Sequence, residues 1–403
     1  MPSLVHVLSR LATTEPPFWP HLRSPLRSTA VTARIGRLLG IAFTLCFVTG
    51  LLSHYQYTPW AWLPEPATPS WGYRLTQGIH VVTGIAAIPL LLLKLWSVYH
   101  RFWAWPAVRS VVHGLERLSI GVLVATSVLQ LVTGLMNVLQ WYAWPWGFIG
   151  VHYWLSWIII GSLVLHIAVK LPLIREGLST PMWRRSDSSS INSGVPEPAQ
   201  PAHIEHIEDG GISRRGMLAA AGAGVGLVAI TTVGQVIPVL EPVALLAPRR
   251  PSSGPQNLPV NKTALAAGVL TVARSPQYRL AVTGPRGFTL TLAELEALDA
   301  FETTLPIACV EGWSRSARWR GPRLLDLVVR AGGSKASRVT VGSMENGAYG
   351  SSHLSDGQLE HALLATHLNG ERLNIDHGYP LRLIAPDRAG VLQTKWLNRI
   401  MVR

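Results

Sequence analysis

Five apolar segments, each near the 20-residue length that crosses a bilayer, leave this chain few ways to fold in water. They lie near residues 35–54, 73–97, 113–139, 148–171 and 216–240. In hydrocarbon the backbone must satisfy its own hydrogen bonds, so segments of this length and composition are expected to be helices. Only 14% of the 403 residues are charged, which excludes a single soluble domain. Basic residues alternate along the chain. Arg23, Arg27, Arg34 and Arg37 precede the first span and place the N-terminus inside. The loop from Trp60 to Trp71 contains Glu65 but no Lys or Arg before Arg74, so it is expected outside. Lys94, Arg101, Arg109 and Arg117 return the chain to the inside. Residues 140–147 carry three Trp and no charge, and Lys170, Arg175, Arg184 and Arg185 follow the fourth span. The pattern predicts a multi-pass protein of the cytoplasmic membrane. The net charge of +13 then reads as topology determinants beside anionic membrane lipid, with no nucleic-acid partner.

Past the fourth span, residues 177–212 read as a cytoplasmic linker, with a Ser/Pro/Glu-rich core at 186–210. His203 and His206 within it read as solvated side chains. Ser213-Arg214-Arg215-Gly216 then opens a Gly/Ala-rich apolar run. This resembles a twin-arginine export signal placed internally, and implies the twin-arginine export machinery as a partner, with residues 213–241 kept as an anchor helix. From residue 255 to 403 the pattern changes to short β-type runs at Tyr278–Thr283, Pro306–Val310, Arg338–Val341, Arg382–Ile384 and Ile400–Arg403. Helix candidates lie near 291–299 and 323–331. The fold class expected is an α-helical transmembrane bundle over residues 30–176, four helices plus one anchor helix, followed by an α+β domain.

The spans contain histidines at informative positions. His152 and His166 are fourteen residues apart on nearly one face of the fourth span, about 21 Å apart along its axis. One imidazole near each leaflet is the spacing that two stacked haems require, and bis-imidazole iron passes electrons without binding oxygen. His80 matches His152 in depth, with His54 as the competing partner. His113 and His100 are the candidates opposite His166. Four spans with this pattern resemble the b-type cytochrome subunits of membrane formate dehydrogenases and hydrogenases over residues 35–175. That resemblance implies haem b, one or two groups, and exchange with the quinone/quinol pool. Cys46, inside the first span, reads as a small buried apolar side chain.

The other cysteine, Cys309, stands in Leu305-Pro306-Ile307-Ala308-Cys309-Val310-Glu311-Gly312-Trp313-Ser314. Asp376-His377-Gly378-Tyr379-Pro380-Leu381-Arg382 and Gln393-Thr394-Lys395-Trp396 follow. A thiolate suits a soft metal, and Arg and Lys suit an anionic cofactor beside it. Together these motifs resemble the molybdopterin domain of the sulfite-oxidase family, over about residues 257–403. The resemblance implies a molybdenum-molybdopterin cofactor with Cys309 as the catalytic metal ligand. It implies pterin contacts from His377, Arg382, Gln393, Thr394 and Lys395, and places Asn261 and Ser343 at further cofactor positions. Glu311, Trp313 and Arg315 are candidates for the pocket wall. Cys-Val-Glu-Gly-Trp-Ser looks more like the periplasmic methionine-sulfoxide-reductase branch than the sulfite oxidases, whose Gly-Asn-x-Arg pattern after the cysteine is missing here. The sequence ends soon after Lys395-Trp396, without the dimerisation domain of sulfite oxidases.

The reading that joins these parts is a membrane oxidoreductase with its molybdopterin domain on the periplasmic face. Electrons are expected to run from quinol through haem to molybdenum, reducing a small or protein-bound S- or N-oxide. Two alternatives stay open. One is oxidation of sulfite or another sulfur compound with electrons delivered to quinone. The other is a haem-binding membrane protein whose outer domain is a catalytically inactive interaction platform.

Overall fold

The computed structural model describes residues 27–60, 62–63, 66–102, 108–181, 213–354 and 356–403. Arg23 and Arg101, His203 and His206, and most of the linker fall outside the described residues or their side chains, as does the His100 side chain. Five long helices lead: α1 (Thr29–Tyr57), α2 (Gly72–Phe102), α3 (Val111–Val138), α4 (Phe148–Ser179) and α5 (Arg214–Val233). All five are long and apolar enough to cross a membrane, which marks a membrane protein. The exposed residues Leu38, Ile41, Leu45, Val48 and Leu52 recur every three or four positions on α1, the stripe expected of a helix facing lipid.

Helix ends depart from the sequence expectation in two places. α4 runs on to Ser179, because Pro172 is carried inside the helix. α5 stops at Val233, earlier than expected. At Gly234 a Cβ would lie 2.3 Å from the Leu240 carbonyl oxygen, so the chain folds back on itself there and continues as a 3-10 turn, Pro238–Val243. Ser213 accepts the Gly216 N–H at 3.0 Å and caps α5, with Arg214 and Arg215 exposed in its first turn.

The chain divides into two compact units. One takes the residues up to Phe43, Ala86–Leu131 and Tyr153–Leu227. In it Leu39 and Ala42 pack with Ala87, Leu90 and Leu91, Lys94 Nζ donates to the Thr32 carbonyl at 2.9 Å, and Lys170 pairs with Glu116. Arg34 donates to the Gly177 and Thr180 carbonyls at 3.1 and 3.0 Å, satisfying acceptors that the end of α4 leaves open.

The other unit takes Thr44–Ile85, Val132–His152 and Val228–Arg403. Its C-terminal part is built from three sheets. The first has the order β2-β1-β11-β5-β6, from β1 (Arg279–Thr283), β2 (Phe288–Thr291), β5 (Val339–Ser343), β6 (Ser351–Leu354) and β11 (Leu397–Val402). Only β1 and β11 run parallel within it. The second is antiparallel, in the order β3-β4-β8-β9, and comprises β3 (Phe301–Ala308), β4 (Ser314–Gly321), β8 (His367–Leu368) and β9 (Glu371–Arg372). The third pairs β7 (Leu363–Ala365) with β10 (Arg382–Ile384). Three short helices complete the part: α6 (Leu292–Glu296), α7 (Leu324–Arg330) and α8 (Asp356–His361). Thr291 and Glu294 form a reciprocal capping box that starts α6.

β3 starts five residues before the expected strand and ends at Ala308, so Cys309 and Val310 lie in the turn beyond it. β4 has no counterpart in the sequence expectations. Ala317, Trp319 and Gly321 are buried in alternation, but Arg318 and Arg320 between them, with Arg315 before, mask the pattern. Strand pairing aligns Phe301 with Gly321 and Ala308 with Ser314, leaving residues 309–313 as the loop of the hairpin.

This unit also holds parts of α1, α2, α3 and α4. The Asp387 carboxylate accepts the Tyr73 backbone N–H and, at 2.8 Å, the Gln56 amide. It thereby sits at the positive N-terminal end of α2. Burial pushes the pKa of Asp387 up to about 6. Arg74 donates to the Val236 carbonyl at 2.7 Å and to Ser316 at 3.3 Å.

Candidate active site

The hairpin loop brings one sulfur to the wall of a pocket. Gly312 N–H donates to the Cys309 carbonyl at 3.0 Å, and Cys309 N–H to the Trp313 carbonyl at 2.9 Å, which closes a tight turn. Gly312 has φ +93°, a left-handed conformation suited to glycine. Cys309 is 2% exposed, and Asn261 Nδ2 donates to its Sγ at 2.7 Å. Trp313 Nε1 donates in turn to Asn261 Oδ1 at 3.3 Å, which fixes the amide's orientation. Burial, reinforced by the Glu311 carboxylate, pushes the Cys309 thiol up to about 12. The protein alone therefore keeps the sulfur protonated at neutral pH, and a soft metal cation held there would take the place of that proton.

The opposite wall is cationic. Lys395 and Arg382 line the same pocket, together with Gln393 and Thr394. The Arg382 guanidinium lies 5.5 Å over the Trp319 ring and donates to the His377 carbonyl at 3.2 Å. Lys395 Nζ donates to the Lys262 and Asp376 carbonyls at 3.0 and 2.7 Å. Among the described residues neither cation makes a salt bridge. Burial lowers Arg382 to about 9; burial and the neighbouring Arg382 charge lower Lys395 to about 7. His377 is lowered to about 4, again by burial first and Arg382 second; its Nε2 donates to the Pro255 carbonyl at 2.7 Å. His377 Nδ1, Arg382 Nε and Gln393 Oε1 are buried without a hydrogen-bond partner. His377 does not line the pocket, and its Nδ1, like Gln393 Oε1, is an acceptor. The groups suited to an anion are the two buried cations and the free Arg382 Nε, with the Cys309 thiol in the same pocket as a soft ligand.

Gly378 holds the two cations close. It takes φ +112°, and a Cβ there would lie 3.1 Å from Lys395 Cβ and 3.2 Å from Arg382 Cβ.

The remaining candidates are distributed differently. Thr394 shares a 2.6 Å hydrogen bond with Ser352. Ser343 turns inward, donating to the Lys395 carbonyl at 2.7 Å and accepting the Glu345 N–H at 3.0 Å; it supports the lysine turn and does not line the pocket. Trp313 is in the wall, but Glu311 and Arg315 are not. Glu311 accepts from Gln140 and has Arg249 at 3.8 Å, and burial raises its carboxyl. Arg315 reaches Glu241 at 3.5 Å. Tyr349 and Val391, in the pocket wall, carry no motif in the sequence that singles them out.

The titration of Lys395 has a consequence for stability. Its folded pKa of about 7 is below its ordinary value of 10.5, so between these pH values the unfolded chain binds more protons. Stability of the cofactor-free protein is therefore expected to rise as pH increases from about 7 toward 10, and a Lys395→Met variant to lose most of that rise. Thermal melting across this window checks it; a wild-type melting temperature that falls as steeply as the variant's would contradict it.

In the same unit, His80 and His152 face each other with ring centroids 6.0 Å apart and planes at 80°. His80 Nδ1 lies 2.8 Å from the Cys46 carbonyl oxygen, so it is the protonated nitrogen and Nε2 keeps its lone pair. His152 Nδ1 shares a hydrogen bond with Thr133 at 3.1 Å. Gly50 makes room for the His80 ring, since a Cβ there would come within 2.7 Å of it. Thus His80 is a residue whose ring meets His152. In the other unit the ring pairs do not join His113 to His166. His113 is in the first turn of α3 and its Nδ1 accepts the Arg109 N–H at 3.2 Å, while His166 lies among the charges of Lys94, Lys170 and Glu116.

Comparison with known proteins bears on the C-terminal part. The family model described as "Oxidoreductase molybdopterin binding domain" matches residues 267–403. An uncharacterized oxidoreductase, YuiH, of Bacillus subtilis is 34% identical over 112 residues, 28% of this chain and 57% of its own. Mitochondrial sulfite oxidase of Homo sapiens is 30% identical over 159 residues, 31% of this chain and 29% of its own. The chain thus spans little more than half of one relative and under a third of the other. The solved structure of the sulfane dehydrogenase SoxCD from Paracoccus pantotrophus covers 32% of this chain and 38% of that chain at 21% identity, with a TM-score of 0.30.

Proposed function

Residues 267–403 being a molybdopterin-binding oxidoreductase domain of the sulfite-oxidase family, we propose that the whole chain is a membrane-bound oxidoreductase linking the quinone pool to oxo transfer. The observation that carries this reading is the His80–His152 pair, 6.0 Å between ring centroids, in the same compact unit as the Cys309 pocket. His80 and His152 are the imidazoles that would hold a haem iron between α2 and α4. Haem iron held there supplies one-electron steps, and molybdenum-molybdopterin held at Cys309 supplies two-electron oxo transfer.

The residues have separable tasks. Cys309 Sγ is the metal ligand, and the Asn261 amide orients that sulfur with a 2.7 Å hydrogen bond. Arg382 and Lys395 would hold the pterin phosphate, with Arg382 Nε as a further donor, while Gln393 Oε1 and His377 Nδ1 would be acceptors for N–H groups of the pterin ring. Phosphate binding favours the charged form of Lys395, so it draws a proton onto that amine near neutral pH. Cys46 holds the His80 tautomer through its carbonyl, and Thr133 positions the His152 ring through a hydrogen bond to Nδ1. Export by the twin-arginine route, with Arg214 and Arg215 as the signal, places the domain outside the cytoplasmic membrane. One haem b is assigned, at His80 and His152.

The favoured direction is from quinol to an S- or N-oxide, because Cys-Val-Glu-Gly-Trp-Ser lacks the pattern of the sulfite oxidases after its cysteine. The opposite direction, oxidation of sulfite with electrons passed to quinone, is the second reading, favoured by the 30% identity to mitochondrial sulfite oxidase. Purified protein whose haem has been reduced by a quinol analogue decides between them. Reoxidation of the haem by a methyl sulfoxide is expected. Reduction of oxidised haem by sulfite, with no response to sulfoxides or N-oxides, would reverse the direction.

A further inference from the structure

The hairpin loop that carries Cys309 is fastened to two membrane helices through one carbonyl group. Val310 O accepts Gln77 Nε2 from α2 at 2.8 Å and Asn137 Nδ2 from α3 at 3.2 Å. Both donors are amides, and a neighbour orients one of them. Gln77 is buried, and Tyr142 OH donates to Asn137 Oδ1 at 3.1 Å, which turns Nδ2 toward the loop. Val81, one turn beyond Gln77, packs so closely that a Cβ on Gly312 would come within 2.8 Å of its methyl groups. Only a residue without a side chain lets the loop come this close.

Each donor is one helical turn from the imidazole pair. Gln77 and His80 are three residues apart on α2, neighbours on one helix face. Asn137 and Thr133 are four apart on α3, and Thr133 bonds His152 Nδ1 at 3.1 Å. Two routes therefore converge on Val310 O, one from His80 through α2 and one from His152 through Thr133 and α3. Val310 is joined to Cys309 by a single peptide bond. Electronic coupling falls off less steeply through covalent and hydrogen bonds than across a van der Waals gap, so a doubly bonded carbonyl next to the metal ligand is a favourable bridge.

We propose that Gln77 and Asn137 are positioning residues for electron transfer, holding the Val310 carbonyl as the bridge between the His80–His152 pair and the Cys309 sulfur. This rests on the proposed function, which supplies a haem at the one end and a metal at the other. With both groups bound, one electron at a time would pass from the haem to the metal at Cys309. Two such transfers, with the two protons released by the quinol, would balance the reduction of one S- or N-oxide to the sulfide or amine and water. The quinol is the reductant and the S- or N-oxide the final oxidant; no bond in the bridge forms or breaks.

The test uses the full chain in detergent, with haem and molybdenum content measured first. A quinol analogue is mixed in, haem reduction is followed optically, and the molybdenum EPR signal is followed by freeze-quench. In the Gln77→Leu/Asn137→Leu variant, haem reduction is expected at the wild-type rate. The molybdenum signal is expected to lag by about tenfold or more, as a misplaced reacting group does. Contents and midpoint potentials of both centres should match wild type. Equal rates in variant and wild type, with both centres present, would overturn the bridge and leave the proposed function intact. Wild-type protein that lacks either centre would overturn both. Should the double variant lose molybdenum, the single variants decide: each keeps one of the two hydrogen bonds and is expected to show a smaller lag, and no lag in either would refute the bridge.

Discussion

Replacing Cys309 by alanine is expected to abolish turnover at the molybdenum site while leaving the membrane helices, and the haem proposed for them, intact. Cys309 offers the one soft ligand atom in the pocket, with its proton held by burial until a metal takes its place. Alanine leaves Asn261 donating into empty space and gives the metal no protein ligand on that wall. A loss of at least about 10³-fold, or about 4 kcal/mol in the barrier, is expected. The effect on folding is far smaller, about 1 kcal/mol, because one small side chain is removed from a loop already fixed by its own turn. Molybdenum content, sulfoxide turnover and quinol-driven haem reduction, measured side by side, check this. Turnover within tenfold of wild type would show that Cys309 is not the ligand.

The second large effect is expected at His152. A His152→Ala variant should lose the haem b absorbance to background and with it all quinol-driven turnover. Turnover fed directly by a strong artificial reductant should stay within about twofold of wild type, since Cys309 and the cationic wall remain. His80→Ala should behave likewise. His54→Ala and His113→Ala should keep haem, because it is the His80 ring that meets His152. Full haem in His80→Ala with loss in His54→Ala would reassign the pair. Haem content per chain and the reduced-minus-oxidised spectrum of the four variants decide it.

The long apolar helices were the most legible part of the sequence, because hydrocarbon admits one solution for a long apolar run. Their ends were less so: α4 carries Pro172 through its last turns, and α5 stops where Gly234 lets the chain double back. In the C-terminal domain, Cys309, Arg382 and Lys395 stand out in sequence as a soft ligand and two cations, and the fold brings them to one pocket. β4 was hidden because its inward Ala317 and Trp319 alternate with arginines that read as solvent-exposed polarity. Glu311 and Arg315 looked like pocket residues from their nearness to Cys309, yet the turn at Gly312 sends both side chains toward Gln140, Arg249 and Glu241. Gln77 and Asn137 were invisible as functional residues. Nothing in an apolar span signals that two amides more than fifty residues apart will meet one carbonyl, since that depends on tertiary placement. Which histidine ring meets His152 depends on how the helices are rotated, which depth along the sequence does not encode; the His80 ring lies 6.0 Å from it.

Haem and molybdenum counted in the same detergent-purified chain test the central claim most directly. About one haem and one molybdenum per polypeptide is expected, with quinol-reduced haem reoxidised on adding an S-oxide. Properly inserted protein that carries haem without molybdenum, or molybdenum without haem, would contradict a single chain that joins the quinone pool to oxo transfer.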